Sequence, residues 1–300
     1  MPNDRTGHVS WTPWEFDYAV SDSEGLSVLN GSFLGVPVFG KLSLPVIRVK
    51  YAVDEGGIAI DPHSSGPFAI AFGAGPFADQ IKWNLGGDHG LQRISNRKNE
   101  YVGYAEMNIN NVYWFEISVY ARIGAYHLNQ CWFFSHLGSI LPRIWSKGLH
   151  TNIDHTHHAY WRFDFDIDGP ANNTVFVKDG NNWFHYPREW NDIKSHYANP
   201  QWLVWNQQTH NGAWVIPGPN DGSPDAFSGI DVGVRLYHPS EEANPWPFGT
   251  GGLGFHEGEP TLEKDVVLWY VAHLFHRADE GADHWHGAGP TITLKLGGNR

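Results

Sequence analysis

The sequence predicts an all-β fold of antiparallel strands, on the basis of its composition and of recurring strand-length alternation. Of 300 residues, 15 are Trp, 17 Phe and 12 Tyr, and 34 Gly and 19 Pro accompany them. Aromatic residues favour strands, whereas Gly and Pro favour the turns that join them. Apolar and polar positions alternate in several short segments, most clearly over residues 155–167. A chain of this length can bury a large core in one unit, so we expect a single domain.

Net charge, cysteine content and the lack of long apolar segments limit the partners, the covalent cross-links and the cellular location that we expect. The formal net charge of −12 disfavours nucleic acid and anionic membranes, and it suits a cationic small molecule. The single cysteine, Cys131, excludes an internal disulfide framework. The N-terminal residues lack the basic start and apolar core of a secretory signal, and no run of 18 apolar residues occurs. We therefore expect a cytoplasmic protein with no membrane segment.

The segment 155–169 contains the strongest indication of chemistry. If it is a strand, His155 and His157 share one side with a row of apolar residues, and the even-numbered side is polar. Two imidazoles spaced i, i+2 on a rigid strand can converge on one metal ion. Two partly buried, hydrogen-bonded histidines would give the same pattern. The spacing alone leaves both interpretations open.

Three segments together resemble the catalytic domain of copper amine oxidases. Residues 155–169 read His-x-His followed by Arg-Phe-Asp-Phe-Asp-Ile-Asp-Gly, like the strand that supplies two copper ligands in that family. Residues 9–16 and 24–26 resemble the family's first strands, and 263–276 resembles the strand with the third ligand. The resemblance implies a shortened, divergent catalytic domain, folded as a large antiparallel β-sandwich.

The resemblance also implies domain limits and a copper site. The catalytic domain would span residues 9–296, preceded by a disordered lead at 1–8 and followed by a tail at 297–300. The implied copper ligands are His155, His157 and His276, with His273 as the alternative third ligand.

A second, calcium-like site is implied at the protein surface. Asp164, Asp166 and Asp265 match the carboxylates with which the family binds a hard cation. The backbone carbonyls of Phe165 and Val266 could complete the oxygen cage that Ca²⁺ prefers. A solvated strand face is the alternative interpretation of the aspartates.

The family makes its organic cofactor, topaquinone, from a tyrosine near the copper. Counting back from the turn at 138–140 matches that tyrosine to Tyr126. Its neighbours depart from the family pattern, because Ala125 replaces an Asn and His127 an acidic residue. Tyr113 follows an Asn as in the family, but its spacing to the turn does not fit. We therefore prefer Tyr126.

Two further catalytic positions are implied. Tyr51, at the end of the predicted strand 40–51, matches a tyrosine that hydrogen-bonds the quinone, although a strand-end tyrosine in water is equally compatible. The catalytic base would lie within 52–87. Asp61 is preferred for its distance from Tyr51, with Asp54 as the alternative, and neither copies the family motif. An ordinary turn aspartate explains either one.

Taken together, the resemblance implies a homodimeric oxidase that converts a primary amine, O₂ and water to an aldehyde, ammonia and hydrogen peroxide. Two other functions remain open. The scaffold could retain copper, leave Tyr126 unmodified and catalyse a different copper-dependent step of a specialised biosynthetic pathway. It could also be a non-catalytic descendant that binds a metal or another ligand.

Overall fold

A computed structural model of the chain describes residues 5–21, 24–50, 59–60, 92–98, 101–123, 126–149, 154–239 and 258–297. In chain order, the strands of these residues are β1 Thr6–Trp11, β2 Trp14–Ser21, β3 Gly25–Phe33, β4 Val36–Lys50, β5 Ala59–Ile60, β6 Gln92–Lys98, β7 Gly103–Ile109, β8 Val112–Ile123, β9 Tyr126–Ser135, β10 Ser139–Lys147, β11 His155–Asp164, β12 Asn173–Asp179, β13 Asn182–His185, β14 Trp190–Asp192, β15 Gln201–Asn206, β16 Gly212–Ile216, β17 Val232–Leu236, β18 Val266–His276, β19 His286–Ala288 and β20 Thr291–Lys295. Short 3-10 turns occur at Lys194–His196 and Ala278–Glu280. No helix in the described part of the chain is long and apolar enough to cross a membrane.

The strands pair into two large antiparallel sheets, which confirms the predicted all-β sandwich. The first sheet has the order β1-β2-β3-β4-β11-β18-β17-β14, and β5 adds to β4. The second sheet has the order β13-β12-β15-β16-β20-β10-β9-β8-β7-β6, and β19 adds to β10. A continuous core contains apolar side chains from both sheets. Aligned packing of two sheets over one core defines a β-sandwich.

Tryptophans join the two sheets across this core. Trp14 and Trp161 come from the first sheet and Trp132 from the second, and all three are fully buried. The indole of Trp14 donates to the carbonyl of Ser135 at 2.7 Å, and that of Trp132 donates to the carbonyl of Leu26 at 2.9 Å. Because buried indole N–H groups need acceptors, these bonds fix the sheets relative to each other while the rings fill the core.

Strand β11 lies at the centre of the first sheet, between β4 and β18. Its odd-numbered residues face the core between the sheets, as the alternation predicts. The even-numbered side is buried as well, although the sequence suggested a polar face. There Tyr160 donates or accepts a 2.5 Å hydrogen bond with Ser228, and the guanidinium of Arg162 lies 5.6 Å from the ring centre of Tyr237. Residues after β16 therefore cover the outer face of β11 and β18.

The first strand begins earlier than the sequence suggested. Strand β1 starts at Thr6, within the segment 1–8 that was expected to be a disordered lead. The ring of His8 lies 2.8 Å from a carboxylate oxygen of Asp17 and 2.9 Å from one of Glu15, both on β2. These contacts raise the pKa of His8, Asp17 having the larger effect. Cross-strand contacts of this kind add to the stability of the pairing between β1 and β2.

Candidate metal centre

Three histidines converge in the space between the two sheets. His155 and His276 lie directly opposite each other on β11 and β18, and His157 lies two residues further along β11. Their side chains therefore project from the same face of the sheet, where all three are at least 95 % buried. One nitrogen from each ring lies within 4.8 Å of the other two. The strand register thus builds this three-histidine cluster from residues that are far apart in sequence.

The spacing of the nitrogens suits a shared ion. Nε2 of His155 lies 3.0 Å from Nε2 of His157. With metal–nitrogen bonds of about 2.0–2.1 Å, two ligands at a right angle are separated by about 2.9 Å. Both ring nitrogens of His276 are buried and have no hydrogen-bond partner among the described residues. A metal ion would satisfy at least one of them, because buried polar atoms normally have a partner.

Burial keeps two of the three imidazoles, His157 and His276, in the neutral form. Burial, followed by the neighbouring His155 and His276, lowers the pKa of His157 well below its usual value. Burial also lowers the pKa of His276 to about 4, with a further contribution from His286. Neutral imidazole is the form that binds a metal, so at neutral pH these rings need not lose a proton first. This donor set suits Cu(II) or Zn(II).

Tyr126 reaches the same cluster from the opposite sheet. It is the first residue of β9, and its side chain is 8 % exposed. Its hydroxyl lies 3.0 Å from Nε2 of His155. Its ring meets those of His155 and His157 edge-on, with centroids 6.0 and 5.1 Å away. A phenol oxygen therefore lies beside the nitrogens that would hold an ion.

The other residues considered for the cofactor position lie elsewhere. His127 follows Tyr126 on the strand and points to the opposite face of β9, where its ring contacts the hydroxyl of Tyr120. Tyr113 lies at the start of β8, is 47 % exposed and has its ring beside His136. Tyr113 therefore does not reach the three-histidine cluster, and His127 does not share the face of Tyr126.

Four predicted positions fall outside the described residues: Ala125, Tyr51 and the two candidate bases, Asp61 and Asp54. Their roles stay predictions. The described part of the centre consists of the three-histidine cluster and Tyr126.

Three carboxylates converge at the other end of β11. Asp164, Asp166 and Asp265 each place one oxygen within 4.8 Å of the others, and we refer to them as the aspartate cluster. A Cβ on Gly40 would lie 2.7 Å from a carboxylate oxygen of Asp166, so glycine leaves room for this side chain. Burial, followed by Asp265, raises the pKa of Asp166 to about 6. Carboxylates held this close favour a cation, and oxygen ligands suit Ca²⁺. Phe165 adjoins the cluster along the chain, and its side chain packs in the core.

A second histidine pair, which no sequence pattern indicated, lies behind the three-histidine cluster. His158 and His273 face the outer side of the first sheet, with their Nδ1 atoms 2.7 Å apart. Nε2 of His158 lies 3.3 Å from Asp225, and Nε2 of His273 lies 3.3 Å from Asp231. His273, the alternative third ligand, therefore points away from His155 and belongs to a buried polar chain.

The structure also brings His286 and Glu280 to the edge of the three-histidine cluster. One ligand atom from each lies within 4.8 Å of one from His276. Neither residue is among the site residues expected from the sequence. The available signal was the His-x-His spacing of His284 and His286, which repeats that of His155 and His157 on β11.

Solved structures with a similar fold include several amine oxidases. A copper-containing benzylamine oxidase from Hansenula polymorpha matches with a TM-score of 0.71 and 15% identity, over 96% of this chain and 59% of its own. An amine oxidase from Aspergillus nidulans matches with a TM-score of 0.68 and 16% identity, over 97% and 52%. Lysyl oxidase from Pichia pastoris matches with a TM-score of 0.66 and 14% identity, over 96% and 51%. At these identities, the similarity establishes a copper-amine-oxidase-like fold.

The chain spans about half to three-fifths of the length of those structures. No protein-family model matches the sequence, and no curated protein matches it.

Proposed function

We propose that the protein is a copper-dependent oxidase that deaminates a primary amine and that forms its quinone from Tyr126. The observation that carries the proposal is the 3.0 Å contact between the Tyr126 hydroxyl and Nε2 of His155. It joins the preferred cofactor tyrosine to the three-histidine cluster, within a fold that resembles copper amine oxidases. Zinc would fit the ligand types as well, but it would not supply redox chemistry.

Metal binding, exclusion of water and proton removal would each be carried out by different residues of the chain. His155, His157 and His276 would hold copper, which together with O₂ supplies the oxidising equivalents. The core around Tyr126 keeps bulk water from its ring, and the contact with His155 directs the phenol oxygen towards the metal ligands. We assign proton removal from the substrate to Asp61, with Asp54 as the alternative. The negative net charge favours a protonated amine as the substrate.

The surroundings of Tyr126 also support a second candidate function. His127 occupies a position where the family has an acidic residue, and its ring contacts Tyr120 on the opposite face of the strand. It therefore cannot restrain a modified ring of Tyr126 from the same side. In this second candidate, copper is bound, Tyr126 remains a tyrosine and another substrate is oxidised.

Peptide mass spectrometry separates the two candidates. The full chain, stripped of metal, would be incubated aerobically with Cu²⁺, and the peptide containing Tyr126 would be analysed. We expect this peptide to gain oxygen in the wild type and in a His136→Ala control, but not in His155→Ala. Primary amines should then release hydrogen peroxide.

Three results are informative. Oxygen gain that depends on His155, with amine-dependent peroxide, supports the amine oxidase. Bound copper with an unmodified Tyr126 rejects it in favour of the second candidate. Failure of the wild type to bind copper rejects both. Sedimentation of the same samples tests the proposed homodimer, and calcium titration tests the aspartate cluster.

A further inference from the structure

The outer edge of the three-histidine cluster carries a further set of metal-binding groups. Glu280 lies on the 3-10 turn that follows β18, and His286 begins β19, where it pairs with Ser146 of β10. The rings of His286 and His276 are 4.3 Å apart between centroids. Nε2 of His286 lies 3.0 Å from Oε2 of Glu280. Three different elements thus bring two imidazoles and a carboxylate together.

The geometry of these groups resembles that of ligands better than that of an ion pair. Nε2 of His286 is buried and has no hydrogen-bond partner in the described part of the chain, although Oε2 of Glu280 is 3.0 Å away. The two atoms are therefore close without the alignment that a hydrogen bond requires. This arrangement is expected if Nε2 of His286 and Oε2 of Glu280 are both directed at a third position beside them, where they could bind one ion.

His276 is common to this group and to the three-histidine cluster. It is fully buried, and neither of its nitrogens has a hydrogen-bond partner among the described residues. An imidazole has two ring nitrogens, and this residue belongs to both groups of potential ligands. One ring could therefore serve two adjacent positions.

The second group also has access to solvent. A cavity of about 470 Å³ extends from His286 past His284, Trp285, Phe275 and Asn220. Cavities of this size accommodate small molecules. Its presence distinguishes this group from a closed structural site, because a water or another small ligand can reach an ion held there.

We propose that His276, Glu280 and His286 form a second metal position beside the three-histidine cluster, which binds a divalent transition-metal ion such as Cu²⁺ or Zn²⁺. Two histidines and one glutamate are a donor set that zinc enzymes use with a position left open. The proposal rests on the proposed function in one respect, namely that the three-histidine cluster itself holds a metal. The open side of the second ion would face the cavity.

Metal counting combined with electron paramagnetic resonance tests the proposal. The full chain is stripped with a chelator, loaded with Cu²⁺ and desalted, and copper per chain is measured. We expect two ions in the wild type, with a spectrum that shows magnetic coupling between neighbouring Cu²⁺ ions. His286→Ala and Glu280→Gln should each bind one ion and give the spectrum of an isolated Cu²⁺. His185→Ala, which removes an exposed histidine of β13, should behave as the wild type.

Several results would overturn the proposal. One ion in the wild type that neither substitution affects leaves only the three-histidine cluster. A second ion without magnetic coupling is an adventitious ion on a surface histidine. An ion count that stays at two in Glu280→Gln rejects the assigned ligands. This variant alters a side chain on a surface turn. It therefore tests the site even if His286→Ala fails to fold.

The proposed function and this inference can fail separately. A coupled pair of ions with an unmodified Tyr126 rejects the amine oxidase and supports the second position. Oxygen gain at Tyr126 with a single ion supports the oxidase and rejects the second position.

Discussion

Replacement of Asp166 by Asn should stabilise the metal-free protein at alkaline pH. The folded chain raises the pKa of this carboxyl from 3.8 to about 6, because it is partly buried and lies near Asp265. Folding is therefore opposed by an ionised Asp166, and this penalty grows as pH rises from about 4 to about 6. Below that interval the carboxyl is protonated in both the folded and the unfolded states, and the penalty disappears. The neutral amide of Asn avoids it at every pH.

The expected gain follows from the pKa shift. A shift of about two pH units corresponds to about 3 kcal/mol if the site were fully shielded from water. Asp166 is only partly buried, so we discount this figure for solvent screening to about 1 kcal/mol. Urea unfolding with a chelator present should therefore show Asp166→Asn to be about 1 kcal/mol more stable than the wild type at pH 8. The two should be equal near pH 4.

Added Ca²⁺ should make the wild type more stable than Asp166→Asn. A cation that binds only the folded state stabilises it by mass action, and the wild type retains all three carboxylates. Asp17→Asn is a contrasting control, because hydrogen bonds from Asn30 and His8 lower the pKa of Asp17, and its replacement should reduce stability at pH 8. The reasoning is refuted if Asp166→Asn is the less stable protein at pH 8 in chelator, or if Ca²⁺ stabilises both proteins equally.

Three other substitutions address the remaining parts of the structure. Tyr126→Phe should fold with a free energy of unfolding lowered by about 1 kcal/mol, since one buried hydrogen bond to His155 is lost, and its peptide mass should not change under Cu²⁺ and O₂. Gly40→Ala should weaken Ca²⁺ binding about tenfold or more in a calorimetric titration, because its Cβ would lie 2.7 Å from an oxygen of the aspartate cluster, and it should leave copper affinity unchanged. Trp161→Ala should cost about 3–5 kcal/mol in denaturant unfolding, whereas Trp190→Ala, which alters a 55 % exposed ring, should change stability by about 0.5 kcal/mol or less.

Alternation was sufficient to predict part of the three-histidine cluster. A strand over residues 155–163 necessarily turns His155 and His157 to one side, and the structure has both rings there. The same rule could not identify the strand opposite them. The placement of His276 depended on resemblance to a family strand, because pairing between residues over one hundred positions apart is not encoded in local periodicity.

Other features depended on packing that no single segment specifies. The even-numbered side of β11 is polar in sequence, but residues after β16 cover it and Tyr160 bonds to Ser228 there. His286 was overlooked for a similar reason. Strand β19 adds to β10 in the second sheet, and only the packing of the two sheets brings its first residue against β18. Contacts between sheets arise from the whole core, so they became evident only in the structure.

The pairing of β11 with β18 explains why the three-histidine cluster and the aspartate cluster have matching sequence spacings between their residues. The register that sets His155 opposite His276 also sets Asp164 opposite Val267. Asp265 comes two residues before Val267, and the same register therefore brings its carboxylate to the aspartate cluster. A slip of one residue would turn His276 out of the core and would separate the carboxylates at the other end. It would also break the buried pair of His158 and His273, whose Nδ1 atoms lie 2.7 Å apart between the two ends.

Each of these three groups therefore opposes a slip, and each depends on the same register. A cation in the aspartate cluster would hold one end of the strand pair in the alignment that the three-histidine cluster requires at the other. Loss of that cation alone leaves the other two groups in place, so the register of β11 and β18 and the copper affinity should both be maintained. The shared register makes agreement in spacing across one hundred residues a better indication of the fold than composition alone.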